Sequence, residues 1–178
     1  RINELLAKPE VDGIVITHGT DTMEETAFFL NLTVKSPKPV ILVGAMRSST
    51  AMSADGPLNL YNAVVAASAK ESQNKGVMVA MNGVLLGAST VLKMNTVSVE
   101  TFQAPNAGAL GYIFNGKVFY NMESVKKNTV NSDFDVTGLD KLPKVGIVYA
   151  YSNVEADMVE PMLANGYKGI IHAGVGNG

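Results

Sequence analysis

The stretch from Asp12 to Leu32, DGIVITHGTDTMEETAFFLNL, constrains the fold of this chain more than any other. Gly13 to Thr17 is a short apolar run rich in β-branched residues, the pattern of a strand covered on both faces. His18-Gly19-Thr20-Asp21-Thr22 follows as a tight polar turn. Thr22 and Glu25 have the spacing of a capping box, a hydroxyl at the cap and a carboxylate three residues on. Asp21 and Glu24 offer the same spacing one residue earlier. Ala27, Phe28, Leu30 and Leu32 continue as a helix with a broad apolar face. Ligands of open α/β sheets bind beyond the carboxyl ends of the strands, and Thr20 and Asp21 stand at that edge, beside the free N–H groups of a helix start. Two readings fit these residues: caps for the N–H groups, or side chains of a binding or catalytic site.

The rest of the chain supplies the sheet. A first helix runs to about Ala7 and Pro9 closes it. Val40 to Ala45 reads as a second buried strand, opening into a long polar loop from Met46 to Gly56. Pro57 suits a first helical turn, and the helix it starts runs to about Ser72. Gly76 to Met81 is a third strand. The order strand–helix–strand–helix–strand predicts an α/β fold with a mostly parallel, doubly wound sheet. From Gly83 to Asp140 helical periodicity is weak. Gly111 to Tyr120 alternates around Asn115-Gly116, the strongest short hairpin signal, so an antiparallel excursion is expected, with Leu85 to Lys93 as a partner ribbon. Residues 134–143 read as a linker between a domain over 1–133 and the start of a second, smaller α/β domain over 144–178. There, Lys144 to Tyr151 and Lys168 to Ala173 are strands. The intervening helix, from about Glu155 to Asn165, carries Pro161 and must kink or start late.

Composition excludes several classes. In 178 residues, 47% are hydrophobic and 17% charged, enough apolar material for a substantial core. A net charge of −2 without blocks of like charge argues against a nucleic-acid surface. There is no cysteine, which removes thiol nucleophiles, disulfides and cysteine-based zinc sites. His18 and His172 are far apart, and no apolar run approaches the ~20 residues of a membrane helix. No signal peptide opens the sequence. Asn31-Leu32-Thr33 fits a glycosylation sequon but falls inside the expected helix.

Polar clusters follow three strands: Thr20 and Asp21, Arg47 to Asp55, and Gly174 to Gly178. Such clusters at one edge of a sheet suit a pocket for a small polar molecule. The glycine-rich tail lacks the G-x-G-x-x-G spacing of a dinucleotide loop. Lys93 lies in a nearly uncharged stretch, where a lysine is ordinarily a surface residue with its stem along apolar neighbours. Spacing alone does not pair it with Thr20.

The motifs THGTDTMEET from Thr17, GAMR from Gly44, SADGPLNLYNA from Ser53, LKMNT from Leu92 and AGVGNG from Ala173 together resemble bacterial-type L-asparaginases. The likeness is to the type II branch that includes glutaminase-asparaginases. It covers essentially the whole chain, and implies a cofactor-free amidohydrolase acting on L-asparagine, with glutamine as a side substrate. It also implies a homotetramer of intimate dimers, and it points to the periplasm or secretion with the cytoplasm as the alternative. By resemblance, Thr20, Asp21 and Lys93 form a catalytic polar triad, and Asp21 holds the substrate's α-amino group. The Ala45 carbonyl lies near the substrate amide, and Asn177 near the substrate of a neighbouring subunit. Gly83, Ser89 and Ser48 depart from the family's usual Asp, Arg and Pro.

The family's first signature, TGGTIA, with its nucleophilic threonine, does not occur in the sequence. Neither does the serine-bearing loop for the substrate carboxylate, nor the glutamate given by a partner subunit. The chain is therefore expected to be an internal piece of a longer protein and inactive alone. An ordinary lysine is too basic to act as a free base near neutrality, and a neighbouring carboxylate keeps it so. The resemblance thus implies a coupled Thr–Lys–Asp system rather than an independent amine. A relative that supplies ammonia within a transamidation complex is the other functional class compatible with these motifs.

Overall fold

The computed structural model describes residues 1–176 and 178, and the chain forms two compact units, Arg1–Asp135 and Val136–Gly178. In the first unit, helix α1 (Ile2–Leu6) precedes strand β1 (Ile14–Thr17), helix α2 (Met23–Thr33), strand β2 (Val40–Val43), helix α3 (Gly56–Ser68) and strand β3 (Val77–Met81). These strands pair in parallel, Ile14 opposite Val40 and Val40 opposite Val77. The sheet then continues antiparallel through β4 (Val84–Gly87), β7 (Gly111–Phe114) and β8 (Lys117–Tyr120), in the order β1-β2-β3-β4-β7-β8. A separate two-stranded ribbon pairs β5 (Leu92–Lys93) with β6 (Phe102–Gln103).

The run Val40-Ile41-Leu42-Val43 is apolar throughout because both of its faces are covered. Val40 and Leu42 pack with Met23 and Ala27 of α2 and Leu6 of α1. Ile41 and Val43 pack with Ala63 and Ala66 of α3. Fully burying each of the valine, leucine, isoleucine and methionine side chains here is worth roughly 1.5–3 kcal/mol. The β1 run, by contrast, is only half-buried, and among the described residues β1 pairs with β2 alone. Its apolar pattern signalled a strand correctly, while the cover over it in this chain is partial. Asn31 is buried, and its side-chain oxygen accepts the Val77 N–H at 2.9 Å, so the sequon amide is committed to the sheet.

The antiparallel half differs in detail from the expected ribbon. Beyond Gly87 the chain turns, with the Thr90 and Val91 N–H groups donating to the Gly87 carbonyl, so Leu85–Lys93 is not one strand. Residues 84–87 pair with β3 and β7, while Lys93 leaves for the small ribbon. Two hairpins turn on Asn-Gly pairs with positive φ: Asn82 (50°) with Gly83 (74°), and Asn115 (50°) with Gly116 (69°). Gly83 thus occupies a left-handed corner.

In the second unit, β9 (Val145–Tyr149) pairs in parallel with β10 (Gly169–Ala173). Between them, a 3₁₀ turn at Ala156–Met158 leads into helix α4 (Val159–Ala164). The late start puts Pro161 in the first helical turn, where it interrupts no hydrogen bond.

The Gly83 corner yields a stability prediction. Gly83→Val should lower stability by about 1–3 kcal/mol in urea unfolding, because a β-branched residue is strained there. An added Cβ meets only the Ile113 carbonyl oxygen at 3.7 Å, so space is not the obstacle. Gly83→Asp, whose short polar side chain tolerates the left-handed region, should cost less than the valine.

Candidate active site

The turn between β1 and α2 has an exposed cap position and no side-chain cap. Thr22 is the N-cap of α2, yet no side chain caps that end. Instead, Lys93 Nζ donates to Thr20 Oγ1 at 3.0 Å and to Asp21 Oδ1 at 2.5 Å. The turn residues that could have satisfied the helix start are therefore turned toward a lysine 72 residues away. The Lys93 side chain is 12% exposed and that of Asp21 92%. The ammonium is enclosed while the carboxylate opens to solvent, where it can meet a second cation. The lysine's hydrogen bond and positive charge hold the Asp21 carboxyl below its ordinary pKa.

His18, two residues before Thr20, is committed elsewhere. Its Nδ1 lies 2.6 Å from the Gly19 carbonyl oxygen, which can only accept, so Nδ1 carries the proton. Nε2 is hydrogen-bonded to the Thr26 hydroxyl at 2.9 Å. The imidazole ties the turn to the first part of α2.

The neighbouring strand end is built just as closely. Gly44 sits against the turn: an added Cβ would lie 2.7 Å from the His18 carbonyl oxygen, 2.8 Å from Met23 Cε and 3.2 Å from Thr20 Cγ2. Ala45 is exposed and lines a cavity of about 420 Å³ with His18, Gly19, Gly44, Gly56 and Leu60. Thr20, Asp21 and Lys93 do not line it. The structure therefore brings three of the expected residues into direct contact and sets Ala45 at the adjoining strand end. Asn177 lies outside the described residues.

Two residues that sequence reasoning left unassigned organise this edge. Asp55 is the N-cap residue of α3 but turns its carboxylate back, accepting from Met46 N (3.0 Å) and Arg47 N (2.9 Å). Burial raises its pKa, but those N–H groups and the Asn59 amide outweigh it, and the net shift is downward. Asn59 is buried; its Nδ2 donates to the Gly44 carbonyl at 3.1 Å and to Asp55 Oδ2 at 3.0 Å, and its Oδ1 accepts from Asn82 N at 3.0 Å. The signal for this pair was present: polar residues four apart on the first turns of an otherwise apolar helix. Glu24 was read only as a capping carboxylate, yet it accepts the backbone N–H of Lys93. No group of three or more His, Asp or Glu side chains among the described residues is arranged to hold a metal ion.

Comparison with known proteins gives this geometry a context. The family model for the N-terminal region of asparaginases matches residues 1–126. The probable periplasmic L-asparaginase of Haemophilus influenzae is 61% identical over 167 residues, covering 94% of this chain and 48% of that protein. L-asparaginase 2 of Escherichia coli is 57% identical, covering 95% of this chain and 49% of its own length. The crystal structure of a probable cytoplasmic L-asparaginase from Campylobacter jejuni superposes with a TM-score of 0.95 at 55% identity, over 98% of this chain and 57% of that one. The chain spans about half the length of the curated relatives it matches.

Two outcomes are expected from this edge. Gly44→Ala should lower stability by about 1–3 kcal/mol, because two of the three clashing groups are part of the site's own support; thermal unfolding checks it. Lys93→Met should return the Asp21 carboxyl toward its ordinary pKa, read by NMR titration of its carboxyl carbon. Since the native pKa is depressed, the stabilisation Asp21 draws from Lys93 is present above the ordinary carboxylate pKa. It is lost as pH falls through the lowered value. The stability gap between native protein and Lys93→Met should therefore narrow on acidification.

Proposed function

The chain belongs to the asparaginase family, and from that premise we propose that it forms part of an L-asparaginase. Such an enzyme hydrolyses the side-chain amide of L-asparagine to L-aspartate and ammonia. The observation that carries this reading is the enclosed Lys93 ammonium bridging the Thr20 hydroxyl and the Asp21 carboxylate at a sheet edge. Relatives named as L-asparaginases favour a hydrolase over an ammonia-supplying subunit of a complex.

The chemistry asks for a nucleophile, a proton carrier and a leaving amine that is protonated as it departs. In this reading a threonine of the TGGTIA type attacks the amide carbon, and its proton passes to the Thr20–Lys93–Asp21 system. That proton is then delivered to the departing nitrogen, which leaves as ammonia, and water cleaves the resulting acyl-threonine ester to release aspartate. The present sequence does not contain that first threonine signature, so turnover belongs to the full-length protein. Asp21 also receives the substrate's α-ammonium, a role its exposure permits. The Ala45 carbonyl faces the amide, and Asn177 serves a neighbouring subunit's site. Residues 1–133 act as part of the N-terminal domain and 144–178 as the start of the C-terminal one, joined by 134–143. The assembly is a homotetramer, exported to the periplasm or secreted, with the cytoplasm as the alternative compartment, and no cofactor takes part.

The full-length protein should release ammonia from L-asparagine without any partner, and more slowly from L-glutamine. Lys93→Met and Asp21→Asn should each lower kcat/KM by about 10²-fold or more, the range of a lost proton carrier. Near-native rates for both variants would remove the proposed relay. Ammonia release that requires an added protein or RNA would replace the hydrolase with the supplying subunit.

A further inference from the structure

We propose that Glu24 is a positioning residue for Lys93, holding the lysine's backbone so that its ammonium reaches Thr20 and Asp21. This rests on the amidohydrolase reading above and extends it to a residue that touches none of the reacting groups.

The need for such a residue follows from how little else fixes Lys93. Strand β5 is two residues long and, among the described residues, pairs only with β6, Lys93 opposite Phe102. In an antiparallel pair, successive N–H groups point alternately toward and away from the partner strand. The Met94 N–H donates to the Thr101 carbonyl at 2.8 Å, toward the partner. The Lys93 N–H therefore points away from the ribbon, where no strand among the described residues receives it. Glu24 Oε2 receives it instead. Glu24 lies in the first turn of α2, where the helix N-terminus favours a carboxylate and so holds the anchor itself in place.

One segment thus grips the lysine at both ends. Thr20 and Asp21 hold Nζ, and Glu24, three residues beyond Asp21, holds the backbone nitrogen. The distance across the turn is set by the β1–α2 connection, so Nζ meets both partners without a longer strand to guide it. On the far side of β5 the chain is separately fixed by Thr101, whose hydroxyl accepts the Asn95 N–H at 2.8 Å and donates to the Asn95 carbonyl. That second clamp holds the loop after Lys93 but leaves the position of Lys93 relative to the turn to Glu24.

The test uses the full-length protein with three substitutions: Glu24→Ala, Glu24→Gln and, as a control in the same helical turn, Glu25→Ala. Amide hydrogen exchange at Lys93 reads the anchor directly and does not depend on turnover. The Lys93 amide should be protected in the native protein and in Glu24→Gln, which keeps an accepting oxygen, and unprotected in Glu24→Ala. Asparagine hydrolysis reads the consequence. Glu24→Ala should lose about 10- to 100-fold in kcat, the effect of a misplacement near 1 Å, with KM changed less than about 3-fold. Glu24→Gln should recover most of that loss, and Glu25→Ala should match the native rate, all measured well below each variant's Tm. A Lys93 amide still protected in Glu24→Ala would overturn the proposal. So would a Glu24→Gln variant as slow as Glu24→Ala while its amide stays protected, since the loss would then follow charge and not position. If the native protein hydrolyses no asparagine, the amidohydrolase reading fails, and the exchange data alone decide whether Glu24 holds Lys93.

Discussion

An ammonium removed from water must be met by partners, and in this protein it is met by a hydroxyl and a carboxylate from one tight turn. The desolvation of Lys93 is tolerable only because Thr20 and Asp21 are already there to receive it. Much of the surrounding structure can be read as the means of keeping that meeting place fixed. Strand β1 delivers the turn, His18 pins the turn to the helix after it, and Gly44 lets the neighbouring strand end approach without a side chain in the way.

The site shows a division between scaffold and lip. Its scaffold is ladder: β2 and β3 are buried on both faces and bear no functional group of their own. The lip is made of turns whose backbone polarity is met by side chains. Asp55 serves the N–H groups of Met46 and Arg47, and Thr101 serves Asn95. Loops built in this way hold their shape without being extended into strands, which leaves the strand ends open to a small molecule.

Legibility in the sequence followed the range of the interaction. Elements governed by local patterning were plain: the VILV strand, Pro57 at the start of α3 and the Asn115-Gly116 hairpin each declared themselves within a few residues. The Asn82-Gly83 corner carried the same signal, but the run of apolar residues after it was read as a longer ribbon, and the turn at Gly87 was missed. The β1 run declared strand character within its own residues, whereas its cover depends on neighbours that no local pattern names. The Thr20–Asp21–Lys93 contact was invisible to spacing, since it joins segments 72 residues apart; only the motifs around each segment connected them. The capping spacing from Asp21 to Glu24 was a local pattern overridden by a distant partner, since Asp21 turns to the Lys93 ammonium and Glu24 to the Lys93 backbone, and no side chain caps the helix at Thr22.

Asn59 leaves its mark beyond its own hydrogen bonds. One buried amide clasps the end of β2 through Gly44, the start of the polar loop through Asp55 and the hairpin corner through Asn82. Hydrogen bonds weaken steeply as they lose alignment, so moving any one of these groups strains the contact it makes with the shared amide. A single side chain thus joins the corner of the hairpin to the floor beside the threonine turn by a route that does not run through the strand ladder.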